Sequence, residues 1–287
     1  MYQVTKFLIV ASLVVLVTMG SFVSAEAATI SGTLKKNGSP VVGGKVTAEA
    51  TNSYVKTISQ SGGTWSMTTL DTPTYTVDGM TTLATHNHVY GVIGSQSGIN
   101  HNLSSRSLVT VYFKIAADEE FRTYYGSQWQ STANDKLISA DPYFREEQSI
   151  GLSSVSTAYQ WDSVDTATDC AILINEARSE SGWNGGTYSG ADILAIFTKQ
   201  DVAGGTACVL FPVPTQGGTH PAFLTEHTTS DMARTIMHEV THLYGFNHGS
   251  CTNVIPNIMA TPSTCTNYIK NWMPADDDTM NARQNWY

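Results

Sequence analysis

The stretch HEVTHLYGFNH, residues 238–248, decides the fold of the C-terminal part of this chain. His238 and His242 are four residues apart, so on a helix they lie on one face, one turn apart. Their ring nitrogens can therefore meet a single Zn²⁺ ion. Gly245 can take a left-handed conformation and end the helix, so that His248 turns back as a third ligand. Three neutral imidazoles leave the fourth zinc position open, which is typical of a catalytic zinc site.

Glu239 follows the first of these histidines, where its carboxylate can reach a water on the metal without being a ligand. Two other interpretations are weaker. An amphipathic helix with surface histidines does not explain why a glycine and a third histidine follow at fixed positions. A closed structural zinc site would normally use cysteine. The motif therefore predicts Glu239 as a general base beside a zinc ion that His238, His242 and His248 hold.

The pattern HExxHxxGxxH, followed by Asn257-Ile258-Met259-Ala260, resembles the metzincin metallopeptidases and their Met-turn. The resemblance implies a zinc-dependent endopeptidase that hydrolyses the peptide bonds of proteins with a zinc-activated water and with Glu239 as general base. It also implies that Met259 forms a hydrophobic base beneath the zinc. Residues 191–198 then correspond to the central strand, and the segment from Pro274 to Tyr287 to the C-terminal helix. The implied substrate-binding edge strand consists of Gly205, Thr206, Ala207, Cys208 and Val209.

The metzincin subfamily stays open from these residues. Gly249 follows the third histidine, where the known subfamilies carry other residues. Thr261 stands where astacins and serralysins place a tyrosine that assists the transition state. Cys251, between the motif and the Met-turn, and Pro262 after the Met-turn resemble the adamalysin (reprolysin-like) side.

Apolar periodicity predicts the elements around the motif. Strands are expected at 108–115, 150–161, 191–198 and 205–211. Helices are expected from Asp118 to Asn134, over 169–179 with Ile172, Leu173 and Ala177 on one face, and over 230–244 with Ser230 or Thr229 as N-cap. Strands that alternate with helices indicate an α+β or α/β class. The predicted architecture is a mixed twisted sheet with an active-site helix, a Met-turn and a C-terminal helix, after a small all-β sandwich.

Residues 28–102 have a different texture, with short β-rich segments between turn signals such as Asn37-Gly38. The predicted strands of a small β-sandwich are the segments 45–50, 55–59, 64–68 and 74–77. The region resembles the carboxypeptidase regulatory-like, transthyretin-type sandwich. A fold-assisting propeptide, an adhesion module and a passive spacer are all open interpretations of its role.

The N-terminus predicts a secreted protein. Lys6 precedes an apolar run over residues 7–19, and small residues follow, which is the pattern of a cleaved signal peptide. Cleavage is expected after Ala25 or Ala27. The alternative is an uncleaved membrane anchor, for which the apolar run is short. The predicted division is a signal peptide (1–27), a β-sandwich (28–102) and a peptidase domain (103–287).

Secretion gives the four cysteines a meaning, because disulfides form in an oxidising compartment. Four cysteines allow three pairings. The favoured pairing joins Cys170 to Cys208 and Cys251 to Cys265, and the alternative is free buried thiols.

Further metal ions are weaker predictions. Asp162, Asp165, Asp169 and residues 276–278 are concentrated enough to bind a structural Ca²⁺ ion, although helix capping and solvated loops explain them as well. The histidines of the predicted sandwich are expected to be solvated loop residues rather than metal ligands. They are His86, His88 and His101.

Charge limits the partners. The chain has a net charge of −9, residues 28–102 carry +1 and residues 103–287 carry −10. This acidity argues against a nucleic-acid binder, which needs a basic face. The expected partners are protein or peptide substrates, neutral or basic rather than acidic, with no membrane contact after signal cleavage. A monomer is expected, although the sequence does not fix the oligomeric state. The competing class is a non-enzymatic secreted binding or adhesion protein with a degenerate metzincin domain.

Overall fold

Eight strands build the N-terminal part of the protein, in a computed structural model that describes residues 26–50, 53–155, 158–183, 190–203, 207–210, 222–226, 231–248, 258–259, 272 and 274–287. In one sheet, β1 pairs with β2, β5 and β8, and the other sheet has the order β4-β3-β6-β7. The strands are β1 (Ala27–Lys36), β2 (Ser39–Pro40), β3 (Lys45–Ala50), β4 (Ser53–Ile58), β5 (Thr64–Leu70), β6 (Tyr75–Met80), β7 (Asn87–Val92) and β8 (Gln96–Leu103).

One buried apolar cluster joins these two sheets. Along β5 exposed and buried residues alternate strictly, so that Trp65 and Met67 face the cluster. Ile30 and Leu34 of β1 and Val46 of β3 pack there too. The β-rich N-terminal region that the sequence predicts is therefore present.

Among the described residues of the C-terminal part there are six strands and six α-helices. The strands are β9 (Val109–Ala117), β10 (Ile150–Ser154), β11 (Tyr159–Gln160), β12 (Ile193–Thr198), β13 (Ala207–Val209) and β14 (Ala222–Glu226). The helices are α1 (Glu119–Tyr125), α2 (Trp129–Ile138), α3 (Asp141–Tyr143), α4 (Cys170–Glu180), α5 (Met232–Leu243) and α6 (Pro274–Arg283). A π-helical turn at Phe144–Gln148 continues α3.

The strands of this part form one mixed sheet in the order β10-β9-β12-β14-β13, with β11 also on β9. All pairs are parallel except the pair of β13 with β14. Every residue of β12 is buried, because Ala195 and Phe197 face the apolar core that includes α5, while Leu194 and Ile196 face the core that includes α4. The predicted mixed sheet with helices is therefore confirmed.

Several predicted elements are wrong in detail. The helix expected from Asp118 is interrupted at Gly126, whose φ of +54° does not continue a helix. Asp118 does cap α1, since its carboxylate accepts a hydrogen bond from the Phe121 backbone N–H at 2.8 Å. Ile172 is 53% exposed, and the buried face of α4 consists of Leu173, Ile174 and Ala177.

A disulfide joins Cys170, the first residue of α4, to Cys208 of β13, which is the pairing expected from the sequence. The pairing predicted for Cys251 and Cys265 lies outside the described residues. The predicted signal peptide lies almost entirely before them as well, although β1 begins at Ala27 and would lose that residue if cleavage followed it. In the described ranges, no helix combines the length and the apolar character that crossing a membrane requires.

Candidate metal centre

Helix α5 carries the HExxH part of the motif through the interior of the protein. All its residues except Thr235 are buried. The sequence predicts Ser230 or Thr229 as N-cap, but Asp231 caps the helix, and its carboxylate accepts a hydrogen bond from the Arg234 backbone N–H at 3.1 Å. Gly245 has a φ of +88° and ends the helical segment as predicted.

The three histidines converge on one point. The Nε2 atom of His238 lies 3.1 Å from Nε2 of His242 and 3.1 Å from Nε2 of His248. Nitrogen ligands at 2.0–2.1 Å from a tetrahedral zinc ion are about 3.3 Å apart, so the separation fits a shared ion. His248 is exposed whereas the other two are buried, so the group is open to solvent on one side.

Hydrogen bonds on the opposite ring nitrogens fix the tautomers of two of these histidines. His238 Nδ1 donates to the Ile258 carbonyl at 2.7 Å, and His242 Nδ1 donates to the Phe246 carbonyl at 2.6 Å. Each Nε2 atom therefore points a lone pair at the shared position. Burial lowers the pKa of His238 to about 3 and that of His242 to about 4. Both imidazoles are neutral at pH 7, as metal binding requires.

Glu239 is buried on the same helix, with 4% of its surface exposed. Burial raises the pKa of its carboxyl to about 8. Its Oε2 atom forms no hydrogen bond with the residues that the structure describes. A buried carboxyl with an oxygen that forms no hydrogen bond to a described residue, on the helix that carries His238 and His242, is suited to moving a proton, whereas a purely structural carboxylate would have partners. These residues fit a zinc ion and a general base.

Comparison with known proteins agrees with this chemistry. The Reprolysin_5 model of metallo-peptidase family M12 matches residues 105–285. The chain belongs to metallo-peptidase family M12. Metallopeptidases of this family use zinc, so the chain carries a metzincin-like zinc metallopeptidase domain, as the motif predicts.

Other comparisons add little to the family assignment. No curated protein matches the M12 chain. Among solved structures, a chaperone–substrate complex has 11% identity and a TM-score of 0.47 over 76% of this chain, which spans 38% of the length of that one. Archaemetzincin from Methanopyrus kandleri has 10% identity and a TM-score of 0.39, over 61% of this chain and 96% of that one. Both TM-scores are below 0.5, so neither likeness bears on the function of this chain.

Met259, which the resemblance predicts as the Met-turn residue, lies in the core that surrounds α5. Ile258 accepts the hydrogen bond from His238, and Met259, the next residue, is 1% exposed and belongs to the same apolar cluster as Met237 and Val240. Residues 249–257 and 260–271 lie outside the described residues, and Gly249, Thr261 and Pro262 are among them.

The predicted substrate-binding strand is described only in part. Ala207–Val209 forms β13, which is the last strand in the order of the sheet, while Gly205 and Thr206 lie outside the described residues. Strand β14, which the sequence does not predict, separates β13 from β12.

Two of the aspartates predicted as calcium ligands have other roles. Asp162 pairs with Arg122 at 2.7 Å, and Asp169 caps α4 by accepting a hydrogen bond from the Ala171 backbone N–H. Asp165 lies near Glu119 and Glu120, with one carboxylate oxygen of each within 4.8 Å of the others. Such an acidic group is common on protein surfaces and does not identify an ion.

The histidines of the N-terminal part are buried, contrary to the prediction from the sequence. His101 is fully buried, and the side chains of His86 and His88 are only 1% and 5% exposed, so the prediction that they are solvated is wrong.

The sequence does not predict that Trp272 contacts helix α5. Trp272 is fully buried, and its indole N–H donates to the Thr241 hydroxyl of α5 at 3.1 Å. No local pattern signals this contact, because the two residues lie 31 positions apart.

Proposed function

We propose that this M12 peptidase is a secreted zinc-dependent endopeptidase in which His238, His242 and His248 bind the zinc and Glu239 is the general base. The observation that carries the proposal is the convergence of three Nε2 atoms, 3.1 Å apart in two of the pairs, two of them from the helix that also carries the buried Glu239. A zinc ion supplies Lewis acidity there, which lowers the pKa of water toward neutrality and stabilises an oxyanion.

The environment of Glu239 supports its proposed role as general base. A general base works best when its pKa is near the working pH, and burial moves the pKa of Glu239 toward 8. Its carboxyl can take a proton from the attacking water and then give that proton to the leaving amine. A cation held by the neighbouring histidines would lower this pKa again, into the range of a carboxylate that is ionised at pH 7.

Substrate binding is proposed at β13. This strand is the last of the sheet and antiparallel to β14, and an extended peptide can add to such an edge through backbone hydrogen bonds. The net charge of −10 over residues 103–287 favours neutral or basic peptides over acidic ones.

Secretion and the division into sandwich and peptidase domain are parts of the same proposal. The apolar run over residues 7–19 supports export, and the disulfide between Cys170 and Cys208 suits an oxidising compartment. A cleavage site after Ala25 leaves β1 complete, so that site is favoured over the one after Ala27.

The test compares wild type with Glu239→Gln in the full-length secreted protein. Casein hydrolysis should fall by roughly 10² to 10⁴-fold in the variant, while its zinc content stays equal to that of wild type. A chelator should abolish wild-type activity, and added zinc should restore it. Wild-type protein that binds zinc but cleaves no protein substrate would instead identify a binding protein, and an active Glu239→Gln variant would refute the general-base role.

A further inference from the structure

We propose a second metal site, for a divalent transition metal such as Zn²⁺, that Asp78, His86 and His88 form between the N-terminal sheets and the C-terminal helices. The register of β6 and β7 places Asp78 directly opposite His88. Residues that face each other in neighbouring strands project to the same side of the sheet. His86 directly precedes β7, and its Nδ1 atom meets the same carboxylate, at Asp78 Oδ2.

The three side chains offer ligand atoms at metal-binding distances. One ligand atom of each residue lies within 4.8 Å of the other two. Asp78 Oδ2 is 3.1 Å from His86 Nδ1, and Asp78 Oδ1 is 3.2 Å from His88 Nδ1. These separations are close to the value of about 3.3 Å between ligands of a tetrahedral ion. Nitrogen and carboxylate ligands together suit Zn²⁺ and its neighbours rather than Ca²⁺.

The hydrogen bonding of this group is incomplete. Asp78 Oδ1 and His88 Nδ1 are 3.2 Å apart, yet neither atom forms a hydrogen bond with any described residue. Both atoms are buried, and buried polar atoms normally have partners. This arrangement is expected if Asp78 Oδ1 and His88 Nδ1 both point a lone pair at a third position. A cation would fill that position.

The outer nitrogen of His86 resembles those of the zinc motif. His86 Nε2 makes a short hydrogen bond to the Glu147 backbone carbonyl, just as His238 and His242 use one nitrogen on carbonyls. His88 Nε2 lies 3.4 Å from Asp278 Oδ1, at ion-pair distance but without a hydrogen bond. A metal-binding histidine usually directs its second nitrogen at a carbonyl or carboxylate in this way.

The third histidine of this region takes no part in the site. His101 Nδ1 bonds to the Asn87 carbonyl at 2.8 Å, and the ligand group does not include its ring. The outer partners Glu147 and Asp278 belong to the π-helical turn and to α6. A metal ion at this position would therefore tie β6 and β7 to the C-terminal helices, and its removal should lower the stability of the whole protein.

The first experiment counts metal ions in the full-length protein. Chelator-treated protein is reloaded with ZnCl₂, freed of excess zinc by gel filtration, and analysed by mass spectrometry of the metal. Wild type should bind one zinc per chain more than Asp78→Asn and one more than His88→Gln. Asp71→Asn, a matched change of charge in the same region, should bind as much as wild type. Equal zinc contents in wild type, Asp78→Asn and His88→Gln would overturn the site.

A second experiment isolates the site from the zinc motif and does not depend on activity. The double variant His238→Gln/His242→Gln should still bind zinc, and zinc should raise its melting temperature by several degrees. Adding Asp78→Asn should abolish both the binding and the shift. If the double variant folds but neither binds zinc nor shifts, then Asp78, His86 and His88 form a protonated ion-pair cluster instead of a metal site. Because this experiment needs only the double variant to fold, it can refute the proposal even if Asp78→Asn and His88→Gln do not fold.

Discussion

At the residue scale, Asp118 is a buried carboxylate with a structural role. It caps α1 through the Phe121 backbone N–H, and the Thr198 hydroxyl makes a short hydrogen bond to its other oxygen. Burial raises the pKa of Asp118 from 3.8 to about 6, although the hydrogen bonds from Thr198 and Phe121 act to lower it. The desolvation of the charge is therefore the dominant effect.

A raised pKa makes the stability of the protein depend on pH. Between about pH 4 and pH 6 the folded protein holds a proton on Asp118 that the unfolded chain has lost, so this residue's contribution to the free energy of unfolding declines as pH rises. The decline is roughly 3 kcal/mol for a shift of this size. Asn can cap the helix equally well and does not titrate. Urea unfolding at pH 4 to 7 measures the free energy of unfolding of wild type and of Asp118→Asn. The value for wild type should rise relative to that of the variant as pH falls. A difference between them that does not change with pH would contradict the raised pKa of Asp118.

Local spacing explains which site residues the sequence could predict. His238 and His242 are one helical turn apart, and His248 follows a glycine that ends the helix, so their convergence follows from chain geometry alone. Asp78 and His88 meet only because β6 and β7 pair in a particular register. A register shifted by one residue would place Asp78 on the opposite face, and no local pattern in this segment fixes that choice.

At the element scale, α5 is held by a side chain from a distant segment. The Trp272 indole N–H donates to the Thr241 hydroxyl at 3.1 Å, and this hydroxyl donates to the Met237 carbonyl at 2.6 Å. Trp272 is fully buried, and its ring lies 5.0 Å from that of Phe144. The side of α5 that carries Thr241 is thereby anchored to the segment before α6.

Thr241→Val keeps the shape of the side chain but removes the acceptor of the Trp272 N–H. We expect the free energy of unfolding to fall by about 1–3 kcal/mol, because a buried donor loses its hydrogen bond. Thr241→Ser is the matched control, since it keeps the hydroxyl and loses a methyl group worth about 0.8 kcal/mol. Urea denaturation measures both. If the Val variant proves at least as stable as the Ser variant, the hydrogen bond does not stabilise α5.

Elements with a strong local signal were predicted and those without one were not. β12 is an apolar run between polar residues, and its six residues are all buried, so the sequence identifies it as a central strand. β14 has no such signal in its five residues Ala222–Glu226, so the sequence does not predict this strand. On α4, the sequence assigned Ile172 to the buried face, whereas Leu173, Ile174 and Ala177 cover the sheet.

At the scale of the whole molecule, a buried ion pair joins the N-terminal sheets to the C-terminal part. Lys45 of β3 makes a short salt bridge with Glu147 of the π-helical turn, and the Glu147 side chain is fully buried. Glu147 also accepts a hydrogen bond from the Trp272 backbone N–H at 3.4 Å. Burial raises the pKa of Glu147, and the Lys45 ammonium opposes that rise. The ionised form of the buried Glu147 carboxyl, in the C-terminal part, is thus stabilised by the Lys45 ammonium from the N-terminal part.

Lys45→Met should therefore destabilise the whole protein by roughly 3–5 kcal/mol at neutral pH, because it leaves a buried carboxylate without its cation. The loss should shrink as pH falls, since the variant's Glu147 has the higher pKa and takes up a proton first, which relieves the buried charge. Adding Glu147→Gln removes the charge and keeps the volume, so Lys45→Met/Glu147→Gln should recover most of the stability. Urea unfolding at pH 5 and pH 7 measures the free energy of unfolding of each variant. If Lys45→Met and Lys45→Met/Glu147→Gln lose the same free energy, Lys45 acts through packing and not through its charge.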